Sequence, residues 1–177
     1  MTTLGNSSRA PSAPAAAAAC GAFVLGVLYA AVSIYWGCGG TALLASVGGA
    51  FQRAGEHGRV DLVAVVWFTA LLKLLAAILG VAAVIGRPAL APPQRRRLRT
   101  VAWAAALILG LYGGVLSVAG WLLQAGVVAP AAHADREALR WHAFVWDPWF
   151  LAWGVLLGIG LRHSRRGGRR RALVARF

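Results

Sequence analysis

The stretch Leu62–Gly86, LVAVVWFTALLKLLAAILGVAAVIG, decides the fold. Its 25 residues carry one ionisable side chain, Lys73, between Asp61 and Arg87. Crossing a bilayer core takes about 20 apolar residues, so the run predicts a transmembrane helix with Lys73 near mid-membrane. Lys73 is also the only lysine. Of the 18 basic side chains the other 17 are arginine, all at or beyond the ends of apolar runs. A charge at the centre of a span is costly, which makes an intramembrane ionisable group a functional candidate by default. Lysine can give up its proton where arginine effectively never does.

Three more apolar runs flank this one: Ala16–Trp36, inside an uncharged stretch from Pro11 to Gln52, then Val101–Gly126 and Trp141–Leu161. Together they predict an all-α integral membrane protein, a compact bundle of four transmembrane helices spanning residues 16–162. A flexible Ser/Pro/Ala-rich tail, residues 1–15, precedes it and a basic tail, residues 163–177, follows. Hydrophobic residues make up 59% of the chain and charged residues 13%, with a mean hydropathy of +0.67. That composition excludes a soluble basic domain despite a net charge of +13. A retained first helix is the reading adopted for Ala16–Trp36. A cleaved signal peptide is the alternative, but no cleavage site is evident and three spans would put the arginine clusters out of register.

Arginine placement sets the expected orientation. Arg87, Arg95, Arg96, Arg97 and Arg99 join the second and third runs with no acids among them. Arg162, Arg165, Arg166, Arg169, Arg170, Arg171 and Arg176 follow the fourth, again without acids. In the other two loops, Arg53 and Arg59 face Glu56 and Asp61, while Arg136 and Arg140 face Asp135 and Glu137. The positive-inside rule then makes both arginine-rich segments, and both chain ends, cytoplasmic. The membrane is expected to be the cytoplasmic one. Attraction to anionic lipid headgroups explains the basic tail, and no nucleic-acid partner is needed.

Depth along the helices suggests a polar cluster. Lys73 is 12 residues from Asp61, Tyr112 is 12 from both Thr100 and Gln124, and Tyr29 is central in its run. All three therefore share a plane, with Ser33 and Thr69 on the faces of Tyr29 and Lys73. Asp147 would stand above them. In Trp146-Asp147-Pro148-Trp149 the aspartate reads as an N-cap and the proline as the first helical residue. A carboxylate there is also placed to act as counter-ion to Lys73. The same segment is rich in aromatics, and Trp141, Trp146, Trp149 and Trp153 form a candidate outer aromatic face. Interfacial anchoring and packing account for such residues without any function.

Other signals are weaker. Cys20 and Cys38, on one helix, lie roughly 27 Å apart at helical rise, too far for a disulfide. Gly110 with Gly114, and Gly154 with Gly158, are small-xxx-small pairs that suit close packing within the bundle or against a second copy. Leu28-Tyr29-Ala30-Ala31-Val32 echoes Leu111-Tyr112-Gly113-Gly114-Val115, as two related hairpins would. Haem held between helices would need histidines inside the spans, but His57 and His133 are in loops while His142 and His163 mark the two ends of the fourth run. His57, His133 and His142 with nearby acids could form a metal site at the outer surface only by accident of folding. No cofactor and no catalytic residue are implied.

Ser33-Ile34-Tyr35-Trp36-Gly37-Cys38-Gly39-Gly40-Thr41, Leu111-Tyr112-Gly113-Gly114, Leu139-Arg140-Trp141-His142 and Trp146-Asp147-Pro148-Trp149-Phe150 resemble the small bacterial four-span proteins of domain of unknown function 3995. The resemblance covers about residues 20–162 and is most specific in the tryptophan-rich fourth run. It implies the fold and carries no activity with it. Some members have an acid just after the Gly-Gly-Thr stretch, where this chain has Ala45-Ser46.

Three functions fit these readings. One is a non-enzymatic membrane protein, an accessory subunit or a handler of ions or small molecules through Lys73, Tyr29, Tyr112 and Asp147. The second is a membrane enzyme acting on a lipid or quinone at the outer aromatic face. The third is a purely structural module, alone, as a homodimer or with another membrane protein. A water-accessible cavity reaching Lys73 would favour the first, a lipid-facing opening beside Trp146–Trp153 the second, and a tightly packed bundle with Lys73 and Asp147 paired and sealed the third.

Overall fold

The computed structural model describes residues 11–49, 52, 60–86, 90–132 and 134–174. Helix α1 is Ala13–Gly37, α2 Val60–Ile85, α3 Pro92–Gln124 and α4 Arg136–Trp141. A π-helical turn, His142–Trp146, joins α4 to α5, Asp147–Val174. Because α4, the π turn and α5 run on without a break, four helices in all are long and apolar enough to cross a membrane. His57 and His133 lie outside the described residues, as do the loop charges Arg53, Glu56, Arg59 and Arg87.

The helices run past the apolar stretches for local reasons. Pro92 and Pro93 open α3, where a missing N–H costs nothing, and the Gln94 side chain accepts the Ala91 N–H at 3.0 Å. Arg95 to Arg99 therefore stand on the first turns of a helix. At the other end of the fourth span Asp135 is the cap: its carboxylate accepts the backbone N–H groups of Glu137 and Ala138 at 2.9 and 3.2 Å.

Asp147 is not a helix cap, contrary to the expectation from Asp-Pro. Its backbone is αR and its N–H bonds the His142 carbonyl five residues back. An α-helix would pair that N–H with Ala143, and the next N–H is missing because residue 148 is proline. Widening one turn thus makes room for the proline ring but strips Ala143 of both backbone donors. The Trp121 indole of α3 supplies the missing donor, Nε1 to Ala143 O at 2.8 Å.

Small side chains line much of the inward surface, and Trp153, Leu157 and Leu161 of α5 fill the centre between them. Along α1 the buried set is Ala15, Ala18, Ala19, Ala22, Gly26, Tyr29, Ala30 and Ser33, a single stripe at three- and four-residue spacing. Phe68, Ile108, Leu111 and Val115 are each 65% exposed or more. In water such surface would be a liability; in hydrocarbon it is the expected outer face. Helix α1 packs mainly on α2 and α5, and α3 mainly on α5. The α3–α5 contact is closest at Gly154, where an added Cβ would meet the Gly110 backbone, and at Gly113, where it would meet Leu151 and Asp147 backbone. Gly114 and Gly158 have only ordinary neighbours, at 3.6 and 3.8 Å. The small-residue contact thus lies inside the bundle, between α3 and α5.

Both described arginine-rich segments sit at one end of the bundle. The Arg99 guanidinium donates to Leu161 O, and to Ser164 Oγ at 2.9 Å. Gly160 there lies against Val84, Ala15 and Ala19. The opposite end gathers Gly37 with Trp67 and Gly48 with Ala138.

Candidate functional site

Lys73 projects from α2 toward α1. Its Nζ donates to Ser33 Oγ at 2.7 Å and stands 4.1 Å from the centroid of the Tyr29 ring. Ser33, 2% exposed, turns its own proton back to the Tyr29 carbonyl at 3.3 Å. Its lone pairs are thereby left for the ammonium. The four-residue spacing of Tyr29 and Ser33 puts ring and hydroxyl on one face of α1, and α2 brings Lys73 against that face. Thr69 takes no part: its hydroxyl bonds Val66 O at 2.9 Å.

The Tyr29 ring belongs to an aromatic cluster. Trp146 stacks on it with centroids 5.6 Å apart and planes 11° from parallel. Trp149 and Phe150 lie tilted against it at 5.7 and 4.7 Å. Trp36 meets Trp146 edge-on at 5.9 Å, and Tyr112 meets Phe150 edge-on at 5.3 Å. Hydrogen bonds fix the indoles, from Trp149 Nε1 to Leu25 O and from Trp146 Nε1 to Ser46 Oγ, both 3.1 Å. Trp153 is 1% exposed and fills the space over Gly26, where a Cβ would meet its ring at 2.6 Å.

The four tryptophans expected to form an outer face do not share one. Trp146, Trp149 and Trp153 fall at three- and four-residue spacing on the side of α5 that packs on α1. Trp141, beyond the π turn, lines a cleft on the surface with Arg136 and Arg140. Tyr112 is half exposed, at 51%, and touches the cluster through Phe150. The echo between the Tyr29 and Tyr112 segments thus does not extend to their surroundings, since Tyr29 is buried.

Asp147 is buried at 5% exposure, but its partner is His142, whose Nδ1 lies 3.3 Å from Oδ1. Among the described residues no carboxylate lies within ion-pairing distance of Lys73. Lys73 and Asp147 therefore do not pair directly, and Asp147 stands instead within electrostatic reach of the Tyr29 and Tyr112 hydroxyls. His142 as the partner could not be read from a helical pattern, because a spacing of five places residues together only across a π turn.

Within reach of the Tyr29 hydroxyl electrostatically lie both Tyr112 and Asp147. The arrangement can hold a cation on a ring face, present donors of that cation to an arriving acceptor, and hold a second ionisable pair, His142 with Asp147, beside the aromatic cluster. Among the described residues no group of three or more His, Cys, Asp or Glu side chains is placed to hold a metal ion. Cys20 and Cys38 are both exposed and free.

A family model for a protein of unknown function (DUF3995) matches residues 26–157, about three quarters of the chain. The chain belongs to this family. The matched segment contains Tyr29, Ser33, Lys73, Tyr112 and the whole aromatic cluster. No curated protein and no solved structure matches this DUF3995 chain.

Proposed function

We propose that this protein is a four-span integral protein of the cytoplasmic membrane, with both ends in the cytoplasm. It works without chemistry of its own, as a subunit or carrier that handles a small anion or an acceptor-bearing small molecule at Lys73. The orientation is supported by the arginine distribution and by the meeting of Arg99 with the end of the fourth span. Arginines 162–176 then lie where anionic headgroups are.

One observation carries the functional part. The Lys73 ammonium has one hydroxyl and one ring face as partners, and among the described residues no carboxylate. An ammonium has three donors, so two remain for a ligand. A structural role would be met more simply by an ion pair with Asp147. The inward turn of Trp146, Trp149 and Trp153 removes the support for an enzyme working at an outer aromatic face.

The test uses proteoliposomes and three variants, Lys73→Met, Asp147→Asn and the double. Lys73→Met abolishes anion-dependent flux or ligand binding while the purified protein still melts cooperatively. Asp147→Asn leaves Lys73-dependent behaviour in place. Loss of folded yield in both single variants with recovery in the double would show a structural pair instead.

A further inference from the structure

We propose that the outer cleft on α4 binds the headgroup of an amine-bearing phospholipid of the phosphatidylethanolamine type. The cleft, about 620 Å³, is lined by Arg136, Glu137, Arg140, Trp141, Phe144 and Val145. Its three charged side chains are exposed. Among the described residues none of them makes an ion pair or a side-chain hydrogen bond within the chain. Two guanidiniums and one carboxylate thus line one space with their donors and acceptors open to a ligand of opposite pattern.

Arg136 and Arg140 lie one helical turn apart, as do Glu137 and Trp141, and the widened turn brings Phe144 and Val145 to the same cleft. At helical rise Phe144 lies about 12 Å deeper than Arg136, and it is 61% exposed. Charge at the outer end gives way to aromatic and aliphatic surface toward the membrane interior, with an indole between them at the level indoles prefer. A phospholipid has the same order along its length. Arginine is the residue best matched to a phosphodiester, which it grips through paired N–H donors. Glu137 selects what is attached to that phosphate: it repels a second anion and accepts from a primary ammonium. A trimethylated choline has no N–H to give it. The acyl chains then run along Phe144 and Val145.

The inference rests on the membrane-spanning reading, and the experiment separates the two. The full chain is purified in mild detergent, and native mass spectrometry follows titration with phosphatidylethanolamine, phosphatidylglycerol and phosphatidylcholine of identical acyl chains. A chain that is soluble without detergent ends the membrane reading before any lipid is added. The expected result is one retained phosphatidylethanolamine, roughly tenfold tighter than either other lipid. Glu137→Gln removes that preference, and Arg136→Gln with Arg140→Gln weakens all three lipids by roughly tenfold. Thermal melts check that the variants fold; should they not, the wild-type lipid series alone decides. Equal retention of the three lipids, a preference for phosphatidylglycerol, or wild-type binding by the double arginine variant each overturns the proposal.

Discussion

Replacing Trp121 by phenylalanine tests the account of the π turn. The indole is 44% exposed, so trimming it to a phenyl removes little packing. What it removes is the donor to Ala143 O, in a residue with 0% exposure. Neither backbone donor can replace it, because Asp147 N is bonded to His142 O and residue 148 has no N–H. A buried carbonyl left unpaired costs about 1–3 kcal/mol, and that is the expected loss for Trp121→Phe. Pro148→Ala restores an N–H five residues from Ala143, within reach of its carbonyl in the same widened turn. In the Trp121→Phe background it should return about 1 kcal/mol or more of the loss, as a coupling between the two sites. Thermal melts in detergent, followed by far-UV circular dichroism because a tryptophan is being removed, give all four corners of the cycle. A Trp121→Phe loss below about 0.5 kcal/mol would place the site among ordinary surface changes. Strict additivity of the two substitutions would equally refute the claim that the proline orphans that carbonyl.

Gly154→Ala drives a Cβ into the Gly110 and Ala106 backbones, which cannot swing aside, and should destabilise the bundle by about 1–3 kcal/mol in the same melts. Gly114→Ala, with its nearest neighbour 3.6 Å from the new Cβ, should stay within about 0.5 kcal/mol of the parent. Ser33→Ala takes away the hydroxyl that accepts from Lys73 and should cost about 1.5–3 kcal/mol, as for a hydrogen bond to a charged group. In a Lys73→Met background the same change should be close to neutral, and an equal cost in both backgrounds would show that the serine acts on packing alone.

The helices were legible in the sequence because their signal is length and unbroken apolarity, which survives ignorance of how they pack. Lys73 was legible for the same reason: one charge in 25 apolar residues needs no structure to be seen. Its partners were legible only in part. Counting residues gives height along a helix but not direction around it. Tyr29 and Lys73 were rightly set at one level, while Tyr112 shares the level but stays half exposed. Asp147 failed for a sharper reason. Asp-Pro is a strong helix-start pattern, yet Asp135 had already capped the helix twelve residues earlier. The chain then carried its proline through by widening a turn, which rotated everything outward of it. His142, five residues back, consequently came round to Asp147. The glycine pairs pointed to close packing, and Gly154 does meet Gly110, but a stripe of small residues fixes which face packs and not which residues touch.

The separation of Lys73 from Asp147 bears on what each can do. A lysine at the centre of a span costs about 2.5–3.5 kcal/mol. A ring face returns about 0.5–2 kcal/mol of that, and a hydrogen bond from a charged donor about 1.5–3 kcal/mol. Ser33 and Tyr29 therefore suffice to hold the ammonium, and no carboxylate is required. An arriving anion would add to this arrangement instead of displacing a resident partner, which is the condition for reversible binding. Asp147 is held by His142, whose side chain is 39% exposed, so its link is toward the surface of the bundle. The chain connects the two sites through one ring: Tyr29 carries the ammonium and stacks on Trp146, the residue next to Asp147. The two sites are thus joined by packed aromatic surface alone, with no charge pair locking them together, so Asp147→Asn should leave the ammonium's partners in place.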